Sequence, residues 1–304
     1  MKPNRSNLSV PGHVKKMHGK ALNSAADVIM LDLEDSVPPD KKTMARETII
    51  QSLLDMNWNK KTVAVRINAL DTPFAYKDII EIVEAAGNII HRIVIPKINH
   101  PGDVHFVSRL LDGIEMDKGF NREIQIEASI ETARGLEAVS RIAKASLRLK
   151  SLVFGVADYS ESIGAKLTSI SGHGDNEEKL YPGHRWHYPL SKMVMAAKAN
   201  DLFAIDAPYG HFKDLEGLRR SAAMASAVGC DGKWVIHPDQ IDVVNQIFTP
   251  STEDIKRAKT VLDAIEAAGH KGKGAIGVDG KMIDQATLRL AKKLWDQASH
   301  MGLV

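Results

Sequence analysis

Apolar residues in this chain follow two alternating patterns. Short runs rich in Val, Ile and Leu occur at 6–10, 27–35, 62–70, 92–98, 123–131, 151–159, 202–208 and 233–238. Between them, over 40–56, 73–87, 101–117, 132–146, 189–200 and 213–228, apolar positions recur at helical spacing. The first pattern predicts strands and the second amphipathic helices. A run such as SLVFGVA, apolar without alternation, predicts a parallel strand covered on both faces. Roughly eight βα repeats with a period near 30 residues are the pattern of a TIM (β/α)8 barrel of about 250 residues. A doubly wound sheet alternates in the same way but needs no eight similar strands. The predicted class is therefore α/β: a TIM barrel over 1–250 with a C-terminal helical extension over 251–304. In the extension the pattern predicts a helix over 252–268, a glycine- and lysine-rich loop (HKGKGAIGVDGK), and an amphipathic helix from Met282 to about Ser299. A barrel closed by its eighth strand has no internal need for this tail, which is expected to pack on a neighbouring subunit.

The most informative stretch is 124–164, which predicts strand, helix and strand. Ile124, Ile126, Ala128 and Ile130 alternate with polar residues, and Leu136, Val139 and Ile142 follow at helical spacing. Each predicted strand ends in an acid, Glu131 and Asp158. Consecutive parallel strands of a βαβ unit bring both carboxylates to the carboxyl edge, where such sheets place their sites. Two hard oxygen ligands there suit Mg²⁺, which takes one or two carboxylates plus water and substrate oxygens; the alternative is that each acid caps a helix. Polar residues gather at the other strand ends too: Asp32, Glu34, Asp35, Arg66, Asn68, Lys97, Asp206 and His237. Residues 167–188, rich in Gly and His, are long for a βα loop and predict a lid or specificity loop. His173, His184 and His187 have no cysteine beside them, which argues against a structural zinc.

Composition narrows the classes. The 304 residues are 44% apolar and 26% charged with a net charge of +2, which gives no pull toward nucleic acid. The single cysteine, Cys230, excludes a disulfide framework or a cysteine-rich metal site. No run reaches transmembrane length and no apolar signal core is present, so a soluble cytoplasmic protein without membrane partners is expected. The first 26 residues hold no acid but carry Lys2, Arg5, Lys15, Lys16 and Lys20. With the Pro-Gly turn of SVPGHVKKMHGKAL before the first helix, they form either a solvated basic face or an anion-binding start. No GxGxxG or P-loop pattern occurs.

RSNLSVPGH, DVIMLDLEDSV, VRINALDTPF, IPKI, IEASIETARG, VFGVADYSESIG and KWVIHPDQI together resemble the HpcH/HpaI aldolase and citrate lyase β-subunit superfamily, in particular its malyl-CoA lyase branch. The similarity runs through nearly the whole chain, including the loop with Trp186 and His187. It implies a Mg²⁺-dependent barrel, with Mn²⁺ as an alternative ion, that cleaves (S)-malyl-CoA reversibly to acetyl-CoA and glyoxylate, and β-methylmalyl-CoA to propionyl-CoA. Carried over by motif, Glu131 and Asp158 would be the metal ligands. Arg66 would hold the substrate carboxylate and the carbonyl oxygen that forms, and Asp284 would be an acid/base brought in from an adjacent subunit. Ser9, Lys15 and Lys20 would contact coenzyme A, while Ala157, Ile236 and His237 would line the substrate. Ser9 stands where the family usually has an aromatic residue, and Val14 where it often has an arginine. The resemblance also implies a homo-oligomer, trimer or hexamer. Alternatives are citramalyl-CoA cleavage, malyl-CoA thioester hydrolysis, or a non-catalytic CoA-binding subunit.

Overall fold

The computed structural model describes residues 3–165, 185–269, 276–278 and 281–304. Eight strands form a closed barrel: β1 (Ser6–Pro11), β2 (Val28–Asp32), β3 (Thr62–Arg66), β4 (Arg92–Ile95), β5 (Gln125–Ile130), β6 (Leu149–Phe154), β7 (Phe203–Asp206) and β8 (Gly232–Val235). All neighbours are parallel, and β8 closes on β1 with Lys233 opposite Ser6 and Val235 opposite Leu8. The period of two in each strand sorts the side chains. Val28, Met30, Ala64, Val94, Val153, Ile205 and Trp234 form one buried cluster that fills the barrel. The residues between them, such as Ile29, Leu31, Val63 and Val65, are equally buried and face the outer helices.

Those helices are α1 (Lys15–Leu22), α2 (Lys42–Asp55), α3 (Ala75–Ala86), α4 (Pro101–Lys118), α5 (Ala133–Ile142), α6 (Val156–Ser162), α7 (His187–Lys198) and α8 (Leu215–Val228). The longer ones bury apolar residues against the barrel: Ile79, Ile82, Val83 and Ala86 on α3, and Leu136, Val139 and Ile142 on α5. The TIM-barrel expectation holds. After β8 come α9 (Ile241–Ile247), α10 (Thr252–Gly269), the antiparallel pair β9 (Ile276–Val278) and β10 (Lys281–Ile283), and α11 (Gln285–His300). The chain divides into two compact units, Asn4–Gln246 and Ile247–Val304 with Met1–Pro3. Within the second, α10 and α11 pack through Ala258, Val261 and Ala291, joined by Leu262, Ile265 and Leu294.

Two expected elements differ. The strand predicted over 151–159 ends at Phe154, and Asp158 lies in the first turn of α6. Gly155 breaks the run, and Val156, Tyr159 and Ser160 then bury at helical spacing, so the apolar residues after it serve a helix. The last helix starts at Gln285, not Met282. Lys281–Ile283 pairs with Ile276–Val278, and Asp284 caps the helix. Most of the predicted lid, with His173 and His184, lies outside the described residues.

Candidate active site

A cavity of about 320 Å³ opens at the carboxyl end of the barrel. It is lined by Ser9 from β1; Asp32, Asp35 and Ser36 at and after β2; Arg66 ending β3; Glu131 after β5; Gly155–Asp158 after β6; Pro208 after β7; and Trp234 and Ile236 at β8. Every strand but β4 supplies a lining residue, and Lys97, just beyond β4, reaches the same acids. Because βα loops all emerge at this end, residues far apart in sequence converge here.

Arg66 is held from three sides. Its Nε donates to Asp32 Oδ1 at 2.6 Å and Nη2 to Asp32 Oδ2 at 2.8 Å. Nη1 lies 2.8 Å from Glu34 Oε2, and the guanidinium carbon sits 5.4 Å from the ring centre of Trp234. Two of the five N–H donors are engaged in hydrogen bonds, both to Asp32, while Nη1 meets Glu34 as an ion pair. Burial disfavours the charge, but Asp32, Glu34 and Asp35 outweigh it and raise the Arg66 pKa. Asp32 is fully buried; burial pushes its carboxyl up, but the charge and hydrogen bonds of Arg66, helped by Ser36 and the Glu34 backbone, hold it down to about 2.

Glu131 is 2% exposed, pinned between the end of β5 and Thr132, whose hydroxyl caps α5 by accepting from Gly135 N. The cap is therefore Thr132, not Glu131. A Cβ at position 155 would fall inside the Glu131 carboxylate, so Gly155 supplies the space that lets this side chain turn inward. Burial, then the charges of Glu34 and Asp158, push the Glu131 carboxyl up to about 8. Asp158 is a quarter exposed on the facing helix start. At the floor, the indole N–H of Trp234 is buried without a hydrogen-bond partner.

The sequence profile of the HpcH/HpaI aldolase/citrate lyase family matches residues 5–238. The chain belongs to this family. It is 39% identical to an L-malyl-CoA/beta-methylmalyl-CoA lyase of Cereibacter sphaeroides over 99% of this chain and 96% of that one. It is 34% identical to the malyl-CoA/beta-methylmalyl-CoA/citramalyl-CoA lyase of Chloroflexus aurantiacus over 98% and 88%. Among solved structures, CitE from Mycobacterium tuberculosis in complex with magnesium, acetoacetate and coenzyme A superposes with a TM-score of 0.77 at 27% identity, covering 98% of both chains.

Tested as a Mg²⁺ site of an HpcH/HpaI family member, the residues fit. Glu131 and Asp158 offer hard oxygen donors to one cavity, and the raised Glu131 carboxyl marks a buried cluster of negative charge that a cation would relieve. No cluster of three or more His, Cys, Asp or Glu residues suited to a metal occurs among the described residues. Of the sequence candidates, Ser9, Arg66, Glu131, Ala157, Asp158 and Ile236 line the cavity together. His237 does not: it stacks on Phe212 with ring centres 4.7 Å apart, and its Nδ1 accepts from Asp239 N in a short 3-10 turn. Lys15 turns to Asp55 at 2.8 Å, and Lys20 is exposed in the last turn of α1. Asp284 belongs to the second unit, as the N-cap of α11.

Two strand-end groups counted as site candidates are structural. Asn68 donates to Asp78 on α3 at 2.6 Å, and Asp206 accepts from the buried Lys233 at 2.5 Å. Glu34, Lys97 and Trp234 matter more than the sequence indicated. The clustering of charge in LDLED and IPK was the available signal for the first two. Trp234 read simply as a strand residue.

Proposed function

We propose that this chain is a Mg²⁺-dependent carbon–carbon lyase that cleaves (S)-malyl-CoA reversibly to acetyl-CoA and glyoxylate and accepts β-methylmalyl-CoA, giving propionyl-CoA and glyoxylate. The observation that carries this reading is the pairing, in one cavity, of an Arg66 fork locked by Asp32 with the inward carboxylates of Glu131 and Asp158. The full-length similarity to lyases of this name supports it.

Cleavage breaks the C2–C3 bond of the malyl group. The hydroxyl on C2 gives its proton to solvent as its oxygen becomes the aldehyde oxygen of glyoxylate. The C2–C3 electron pair passes to the thioester fragment as an enolate, whose carbon is then protonated to give acetyl-CoA. Glu131 and Asp158 would hold the ion, which when bound supplies Lewis-acid polarisation of the substrate oxygens. Arg66 presents the N–H donors not taken by Asp32 to the carboxylate and to the oxygen that becomes the carbonyl. Asp32 and Trp234 keep that fork in one plane, a geometry an ammonium would not reproduce. Ala157 and Ile236 form apolar wall beside the acyl carbons, and Ser9 adds a small polar one. In the synthetic direction Asp284 from a neighbouring subunit takes the proton of the acyl methyl group. Hydrogen bonds from the Thr287 backbone N–H and hydroxyl hold its carboxyl below the usual range, so at neutral pH it stands ready as a base.

Purified protein incubated with Mg²⁺ and malyl-CoA should release glyoxylate and acetyl-CoA without free thiol, and Glu131→Gln or Asp158→Asn should lose this activity while remaining folded. Free thiol as the product would make the protein a thioesterase, and no turnover a CoA-binding subunit. Pyruvate release from citramalyl-CoA, which the Chloroflexus relative's name includes, belongs in the same panel. Near-normal turnover by either variant would remove the metal assignment.

A further inference from the structure

Lys97 has a left-handed backbone, φ 51°, shared among the described non-glycine residues only by Asp201. A side chain with a Cβ adopts that conformation at a cost, and residues held in it gather at functional sites. The reason here is visible. From this backbone the Lys97 N–H donates to Glu131 Oε1 at 2.6 Å. Its side chain meanwhile runs to an ion pair with Glu34, and Nζ lies 3.4 Å from Asp158 Oδ1 and 3.7 Å from Asp35 Oδ1. One residue thus touches both carboxylates assigned to the metal, one through its main chain and one through its ammonium. Lys97 is not itself a lining residue of the cavity.

We propose that Lys97 is a positioning residue with two opposed effects: its main chain fixes Glu131 for the metal, while its ammonium acts as a built-in counter-ion of the metal-free acid cluster and weakens divalent-ion binding. The proposal rests on the reading of Glu131 and Asp158 as metal ligands. The sign follows from Coulomb's law. A positive charge within 4 Å of Glu34, Asp35 and Asp158 lowers the attraction of those acids for any entering cation, whatever the local dielectric. If the ammonium served only as a prop for the acids, its loss would loosen the cluster and weaken metal binding instead.

Calorimetric titration of Mg²⁺ into the full-length protein without substrate separates the two. Lys97→Met removes the ammonium and keeps the Cβ. Lys97→Gly removes the ammonium, keeps the N–H to Glu131 and relaxes the left-handed backbone. Both should bind Mg²⁺ about tenfold more tightly than the unaltered protein, a change of about 1.4 kcal/mol. Circular dichroism confirms that each is folded, and the glycine variant alone suffices if the methionine variant is not. Unchanged or weaker Mg²⁺ binding would overturn the proposal, as would loss of fold in both variants, which would make Lys97 a purely structural residue. The outcome is distinct from failure of the metal reading, in which the unaltered protein would bind no Mg²⁺ or Glu131→Gln would bind it equally well.

Discussion

A guanidinium buried beside two carboxylates is useful for catalysis only if its direction is settled before substrate arrives. Asp32 does this for Arg66: both its oxygens accept from the fork, and it in turn is fixed by Ser36, whose hydroxyl donates to Oδ2 at 2.5 Å and whose N–H donates at 3.1 Å. The pair also contributes to stability. The Asp32 carboxyl falls from 3.8 to about 2 in the folded protein. Because the folded value is the lower one, the stabilisation is complete above about pH 4 and is lost as pH falls toward 2, with a magnitude of about 2 kcal/mol. Asp32→Asn should therefore be less stable than the unaltered protein by at least that amount at neutral pH, the gap closing toward pH 2. Urea unfolding at pH 7, 4 and 2.5 measures it, and a gap independent of pH would rule out the charge as the cause. At this scale Arg66, Glu131 and Asp158 were legible in the sequence because each stands in or just after a strand-like run. The work of Lys97 was not, since no spacing rule announces a positive φ at a lysine.

At the scale of elements, α6 and α11 carry the lessons. Seven residues after Gly155 form a helix where the apolar run reads as strand, and that turn carries Asp158 beside the cavity. α11 begins with Asp284, whose Oδ1 accepts from Thr287 N at 2.9 Å and from the Thr287 hydroxyl at 3.0 Å. This residue thus has a capping role in its own subunit as well as the proposed acid/base role in another. The two come apart by substitution. Asparagine caps helices as well as aspartate does, whereas alanine does not. Asp284→Asn should keep the melting temperature and lose about 10²–10⁴ in turnover, the typical worth of an acid/base group. Asp284→Ala should lose both. Full activity retained in Asp284→Asn would reduce the residue to its cap.

For the whole molecule, the barrel unit and the C-terminal unit are each compact, and no helix of the described residues is long and apolar enough to cross a membrane. If the tail of one subunit completes the site of another, complementation follows. Co-expressed Arg66→Ala and Asp284→Ala subunits should regain activity above either parent, because some shared sites receive one intact copy of each group. Verified hetero-oligomers without recovery would exclude a neighbour's aspartate.

By itself the sequence determined the α/β class, the count and order of the eight barrel strands, and the acids and arginine that stand at their ends. Those features are local: they depend on the periodicity of burial and on residues adjacent to a strand. Only the tertiary structure decided which strand-end charges face a common cavity. Asn68 and Asp206 bind structural partners, His237 packs on Phe212, and Lys15 pairs with Asp55, whereas Asp32, Glu34 and Lys97 close around Arg66, Glu131 and Asp158. The physical reason is that ion pairing and burial are set by neighbours in space, which a parallel barrel draws from separate strands, and no interval along the chain encodes them.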